Sequence, residues 1–177
     1  METIVAISTA VGTGGIGIIR MSGKQCFEIL EKIFKPKKEQ KIEEIKGYTI
    51  KYGHIVNYQT EEKIDEVLVS YFKAPKSYTT EDMCEINSHG GTVVVQTILE
   101  QCLMAGARLA MPGEFTQKAF LNGRIDLSQA EGIIDLINSK TQKEAEASFK
   151  QLEGVLSKKI QEIRKDILNV MADIEAS

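Results

Sequence analysis

Apolar and polar positions alternate along this chain with a period that changes from segment to segment. Ile4, Val5, Ala6 and Ile7 are consecutive, the pattern of a buried strand. Ile18 and Ile19, stiff β-branched residues, predict a second strand just past a glycine-rich stretch. Cys26, Phe27, Leu30, Ile33 and Phe34 recur at helical spacing and predict an amphipathic helix over 24–35, with Pro36 marking its exit. The Ser22 hydroxyl is placed to cap that helix, and Gln25 to complete a capping box. Residues 37–46, "KKEQKIEEIK", are charged and predict a solvated loop. Strand-like runs follow around Tyr48-Ile50-Tyr52, around Ile55–Tyr58 and around Val67-Val69-Tyr71. "APKSYTTED" is a loop punctuated by Pro75. In "MCEINSHGG", alternation places Cys84 and Ile86 on one strand face and Glu85, Asn87 and His89 on the other, before a Gly-Gly turn. Residues 92–105 predict a largely buried helix with Gly106 as its C′ residue.

Helices interleaved with strands predict an α/β or α+β layer domain, and the α+β form, a mixed sheet with helices, is the one expected here. The composition changes past the "MPGEFT" loop at Pro112, and the expected division is 1–118 for this domain and 119–177 for an all-α helical segment. "QKAFLNG" predicts a short helix closed by Asn122-Gly123. Ser128 with Glu131, and Thr141 with Glu144, have capping-box spacing. From Thr141 onward the pattern predicts one long helix, with Phe149, Leu152, Leu156, Ile160, Ile163, Ile167, Val170 and Ile174 stepping by threes and fours. Gly154 weakens it by roughly 1 kcal/mol relative to Ala. An isolated helix cannot bury so long a stripe, so its expected partner is another copy or a segment outside this chain.

Composition narrows the classes. At 177 residues, with 42% hydrophobic and 27% charged residues, the chain can bury a core of its own. A formal charge of −3 gives no overall basic field for nucleic acid, although a local basic patch stays open. No apolar run is long enough to span a bilayer, and "METIVAIS" lacks the shape of a signal peptide. Three well-separated cysteines fit reduced, buried thiols in a cytosolic protein. Cys84 and His89 alone do not make a zinc site.

"GTGGIG", residues 12–17, satisfies the G-x-G-x-x-G fingerprint of dinucleotide-binding loops. The fingerprint needs a helix opening from the loop, and the β-branched residues after Gly17 predict a strand instead. No Gly-Lys-Ser/Thr follows, so it is not a P-loop either. The loop is read as a strand connection, or as a backbone surface for some other ligand. Arg20 ends the strand after it, Glu85 lies on a polar strand face, and Arg124 follows the Asn122-Gly123 helix stop. Taken singly, each reads as a surface charge. A strand carboxylate beside Asn87 and His89 suits a planar heterocycle with two adjacent N–H donors, and nearby arginines suit the ligand's carbonyls or carboxylates. Ser88-His89 is no triad, because strand neighbours point to opposite faces.

The stretches "TIVAISTAVGTGGIGIIRMSG", "APKSYTTEDMCEINSHGG" and "PGEFTQKAFLNGRIDLSQAEGIIDLI" together resemble the N-terminal part of the bacterial MnmE (TrmE) family of tRNA-modifying GTPases, in the family's order and over nearly the whole chain. The resemblance implies a dimerising, tetrahydrofolate-binding domain related in fold to folate-dependent aminomethyltransferases, followed by the first helices of a central helical domain. It implies an FAD-dependent partner, MnmG, with which the full protein modifies carbon 5 of the wobble uridine of tRNA. The one-carbon donor is a tetrahydrofolate, in its 5-formyl or 5,10-methylene form. Arg20, Glu85 and Arg124 match the family's folate contacts, with Arg124 standing where many members carry Lys. The resemblance further implies a cytoplasmic homodimer without membrane attachment. GTP, Mg and K belong to a Ras-like GTPase domain whose P-loop this sequence lacks, as it lacks the family's C-terminal cysteine motif. The chain is therefore expected to be a fragment without GTPase activity and without catalytic residues or metal of its own. The glycine loop is then expected to shape the folate-side pocket or the dimer contact. Two alternatives stand beside this reading: a stand-alone folate-dependent one-carbon transferase, and a pure dimerisation scaffold.

Overall fold

A computed structural model describes residues 2–10, 12–38 and 44–176. It resolves into two compact units, Met1–Asn122 and Gly123–Ser177.

The first unit is a seven-stranded mixed sheet of order β3-β4-β5-β6-β2-β1-β7. Its strands are β1 (Ile4–Ile7), β2 (Ile16–Ser22), β3 (Phe34–Pro36), β4 (Thr49–Val56), β5 (Lys63–Phe72), β6 (Met83–His89) and β7 (Arg108–Leu109). All neighbours pair antiparallel except β1 and β7, which run parallel. Helices α1 (Cys26–Ile33) and α2 (Thr92–Met104) cover one face, and α3 (Glu114–Leu121) follows β7. The core sits between that face and the helices. Ile19, Met21, Val67, Val69, Cys84 and Ile86 come from the strands, and Phe27, Leu30, Ile33, Ile98, Leu99 and Cys102 from the helices. The alternate strand residues occupy the opposite face, where Ile50, Leu68 and Ile16 stay exposed.

The helix expected from a Ser22 cap begins later. Ser22 is the last residue of β2, paired with Ile4 on one side and Met83 on the other, so its backbone is held extended from both sides. Gly23 then turns the chain at φ +147, where a Cβ would come within 2.5 Å of the Thr3 Cα. Gln25 occupies the N-cap without a side-chain cap, and its own N–H donates to Thr3 Oγ1 at 3.1 Å. Phe34 and Pro36 leave the helix to form edge strand β3, where proline's missing N–H is tolerated.

The runs around Tyr48-Ile50-Tyr52 and Ile55–Tyr58 form one strand, β4, rather than two. Gly53 joins them because β3 crosses so near that a Cβ there would lie 2.3 Å from the Lys35 carbonyl oxygen. The expectation of a charged loop over 37–46 falls largely on 39–43, outside the described residues.

The second unit contains α4 (Leu127–Asn138), α5 (Gln142–Leu152) and α6 (Val155–Glu175). Asp126 caps α4 with Gln129 completing the box; Ser128, the expected cap, lies one residue inside the helix. Thr141 and Glu144 form the box expected of them at α5. The long C-terminal helix is broken. Gly154 adopts φ +78, a left-handed conformation that ends α5 and starts α6. Helices α4 and α5 pack antiparallel at Gly132, where a Cβ would stand 3.2 Å from the Ser148 carbonyl oxygen. Gln129 and Gln151 tie the pair by donating to the carbonyls of Leu152 and Ser128, at 2.8 and 3.0 Å. No residue of α6 is buried, so its apolar stripe lies open in this chain. No helix among the described residues is long and apolar enough to cross a membrane.

Candidate functional site

Arg20 and Glu85 face each other across the β2–β6 pair, in direct antiparallel register on the sheet face not covered by α1 and α2. Both Nε and Nη2 of Arg20 donate to the same carboxylate oxygen, Glu85 Oε1, at 2.9 and 2.7 Å. The side chains keep 30% and 20% of their surface exposed, so the pair is fixed yet reachable. Small residues continue the row on either side, Ala6 opposite Arg20 on β1 and Ser70 opposite Glu85 on β5.

One end of this face is closed by the segment after β5 and by the start of α3. Tyr78 and Phe115 put their rings 5.5 and 5.7 Å from the Arg20 guanidinium carbon. The Tyr78 hydroxyl and Thr116 Oγ1 share a 2.9 Å hydrogen bond that ties the two segments. A buried polar cluster sits behind them. Lys118 Nζ donates to Glu81 Oε2 at 2.7 Å and to the Glu2 carbonyl at 3.1 Å. Ser22 and Thr79 share a 2.6 Å hydroxyl contact, and Asn122 Nδ2 donates to the Thr79 carbonyl at 2.7 Å.

Asn87 and His89 share Glu85's face but do not converge on its carboxylate. Asn87 Nδ2 donates to the Leu68 carbonyl at 3.1 Å. His89 engages Asp65 twice, through its backbone N–H to Oδ2 at 2.8 Å and its Nδ1 to Oδ1 at 2.7 Å. That hydrogen bond, with the Asp65 charge, raises the imidazole above its usual range. Arg124 belongs to the second unit, in the segment before α4, where it takes part in an interaction of its own.

The glycine stretch leads into β2, as its β-branched neighbours predict, and not into a helix. It packs against the Gly-Gly turn after β6. Gly14 N–H donates to the Gly90 carbonyl and Gly90 N–H to that of Gly15, each at 3.2 Å. A Cβ on Gly90 would stand 2.4 Å from the Gly14 carbonyl oxygen, so the close approach requires glycine. A cavity of about 320 Å³ lies between this loop and the start of α2. Cys26, Cys84 and Cys102 are all buried, and burial pushes the Cys26 thiol well up, away from reactivity. Among the described residues no group of three or more His, Cys, Asp and Glu side chains could hold a metal ion.

Tyr78, Phe115, Glu81 and Lys118 were not recognisable as parts of the site from spacing. Tyr78 and Phe115 sit in segments that read only as loops, and Lys118 in a short helix whose pattern singles out no buried cation.

Comparison with known proteins covers nearly the whole chain. Residues 3–124 match the family described as GTP-binding protein TrmE N-terminus, and residues 127–177 match the MnmE helical domain. A tRNA modification GTPase MnmE from Acetivibrio thermocellus is 56% identical over 99% of this chain. Proteins of the same name from Alkaliphilus oremlandii and Shouchella clausii are 53% and 52% identical over 99% and 100% of it. The chain spans 38% of the length of each of these relatives. With both units matched in order, the chain belongs to the MnmE family of tRNA modification GTPases.

Proposed function

We propose that Met1–Asn122 is a tetrahydrofolate-binding and dimerising domain, and that Gly123–Ser177 contributes the first helices of a helical domain, in a protein that modifies tRNA. The observation that carries the folate assignment is the disposition of Glu85. An ionised carboxylate offers about four acceptor positions, and both Arg20 bonds fall on one of its oxygens. The positions left can take the paired N–H donors along one edge of a pterin ring as charge-assisted hydrogen bonds. At this exposure the ion pair is worth only about 0–1 kcal/mol to the fold, so stability alone is a weak reason to hold a carboxylate here. Small Ala6 and Ser70 are the register partners of the pair on the flanking strands, and Arg20 supplies a cation for the ring's carbonyl or for the glutamate tail; for Arg124 only the family resemblance supports a folate contact. When bound, the folate supplies the one-carbon unit; the residues of this chain bind and orient it.

In the full protein we assign the one-carbon transfer to carbon 5 of the wobble uridine of tRNA, carried out in the cytoplasm with the FAD-dependent partner MnmG. GTP, with Mg and K, is assigned to the GTPase portion of the longer relatives. This sequence contains no Gly-Lys-Ser/Thr P-loop, so this chain alone is expected to bind no GTP in equilibrium dialysis. Stoichiometric retention of GTP would contradict that.

Calorimetric titration with 5-formyltetrahydrofolate and sedimentation at tens of micromolar test the domain assignment together. Binding with no one-carbon turnover supports the folate-binding arm. Turnover by this chain alone would favour a stand-alone transferase. A dimer that binds no folate would leave a scaffold.

A further inference from the structure

A long arginine side chain on an open sheet face would ordinarily sample many rotamers. Arg20 does not have that freedom. One edge of its guanidinium is pinned to Glu85 Oε1 by Nε and Nη2, and the Tyr78 and Phe115 rings lie 5.5 and 5.7 Å from its central carbon. The two rings come from segments far apart in sequence, the stretch between β5 and β6 and the first turn of α3. Those segments are locked together independently of Arg20, by the Tyr78–Thr116 hydroxyl contact and by the buried Lys118–Glu81 pair. The rings therefore stand on a support that does not move when the arginine does. A side chain ordered before the ligand arrives spares binding the cost of ordering it.

We propose that Tyr78 and Phe115 are positioning residues that clamp Arg20 against Glu85 in the ligand-free protein, so that the carboxylate already presents its remaining acceptor positions to a planar heterocycle. The choice of a folate as that heterocycle rests on the function proposed above; the clamp itself does not. Cation–π contacts of this kind contribute about 0.5–1 kcal/mol each at exposed sites, a factor of about 2–5 per ring.

The test follows the Arg20 Nε–H signal in the full chain labelled with nitrogen-15 arginine, assigned by its loss in Arg20→Lys. In the parent without ligand, this proton should exchange slowly with water. Phe115→Leu and Tyr78→Leu should each speed exchange by a factor of about 2–5, and Phe115→Tyr should restore the parent rate. Phe115→Met serves if the leucine variant fails a thermal-unfolding control. In folate titrations, Phe115→Leu should weaken binding by a similar factor in the parent and have no effect in an Arg20→Gln background. Unchanged exchange in folded variants overturns the clamp. So does an equal loss of affinity in the Arg20→Gln background, which would mean that the ring touches the ligand directly. If the parent binds no folate, the proposed function fails while the exchange measurement still decides the clamp.

Discussion

Arg20 and Glu85 are cross-strand partners 65 residues apart in sequence, and both arginine donors converge on a single carboxylate oxygen. A pair this exposed should contribute little to folding. Glu85→Gln should change unfolding free energy by less than about 1 kcal/mol in urea titrations, and Arg20→Ala, which also gives up two ring contacts, by about 1–2 kcal/mol. A loss of several kcal/mol in either variant would mark the pair as a structural clip and undercut its reading as a ligand site.

The Lys118–Glu81 pair should behave in the opposite way. Its side chains are only 5% and 14% exposed, and Lys118 also holds the Glu2 carbonyl. Lys118→Ala leaves a buried carboxylate without its cation and should cost about 3–5 kcal/mol. The double variant Lys118→Met, Glu81→Leu should recover much of that loss, because it removes both charges. Urea unfolding of the three proteins checks this, and a mild effect of Lys118→Ala would contradict it.

His89 should titrate above 6.5, because Asp65 accepts its Nδ1 proton and favours the cation; the nearby Glu66 charge acts in the same direction. A raised folded value makes the contribution complete below the unfolded value of about 6.5 and lost as pH rises through the folded value. Asp65→Asn should return the midpoint toward 6.5. NMR titration of the imidazole carbons measures both, and a parent midpoint at or below 6.5 would refute the coupling.

Two adjacent glycines should respond differently to a side chain. Gly90→Ala drives a methyl group to 2.4 Å from the Gly14 carbonyl oxygen, so backbone must move. The expected cost is about 1–3 kcal/mol, the range for overpacking. Gly91 meets nothing within 4 Å and is the N-cap of α2 without a side-chain cap. Gly91→Ser should be neutral or stabilising by a few tenths of a kcal/mol. Thermal unfolding separates the two, and equal destabilisation would contradict the close approach.

The parts of the fold with an unambiguous period were legible from the residues. Alternation in 83–89 put Glu85, Asn87 and His89 on one face, and the structure keeps them there. The strand-forming Ile18 and Ile19 ruled out the dinucleotide loop, and β2 bears that out. What pattern could not supply was distance. Nothing local says that Arg20 lies opposite Glu85, because sheet register is set by the packing of whole strands. The caps at Ser22 and Ser128 fail for one reason: spacing alone does not fix where a helix starts. Ser22 and Ser128 each have a capping-box partner at the right spacing, but pairing to Ile4 and Met83 holds Ser22 in the sheet, and Asp126 starts α4 two residues before Ser128. Propensity alone makes Gly154 a weak helical position; it does not show that the glycine takes φ +78.

The central claim is that Glu85 anchors the edge of a bound folate's pterin ring. The most direct measurement is a calorimetric titration of 5-formyltetrahydrofolate into the parent chain and into Glu85→Ala, with thermal unfolding as a folding control. Truncating the carboxylate strands two ring donors, so binding should weaken by roughly 2–4 kcal/mol. Glu85→Gln should also be severe, since its amide offers a donor where an acceptor is needed, while Arg20→Ala should be intermediate and Arg124→Lys mild. A folded Glu85→Ala that binds 5-formyltetrahydrofolate as tightly as the parent would show that the ligand site lies elsewhere.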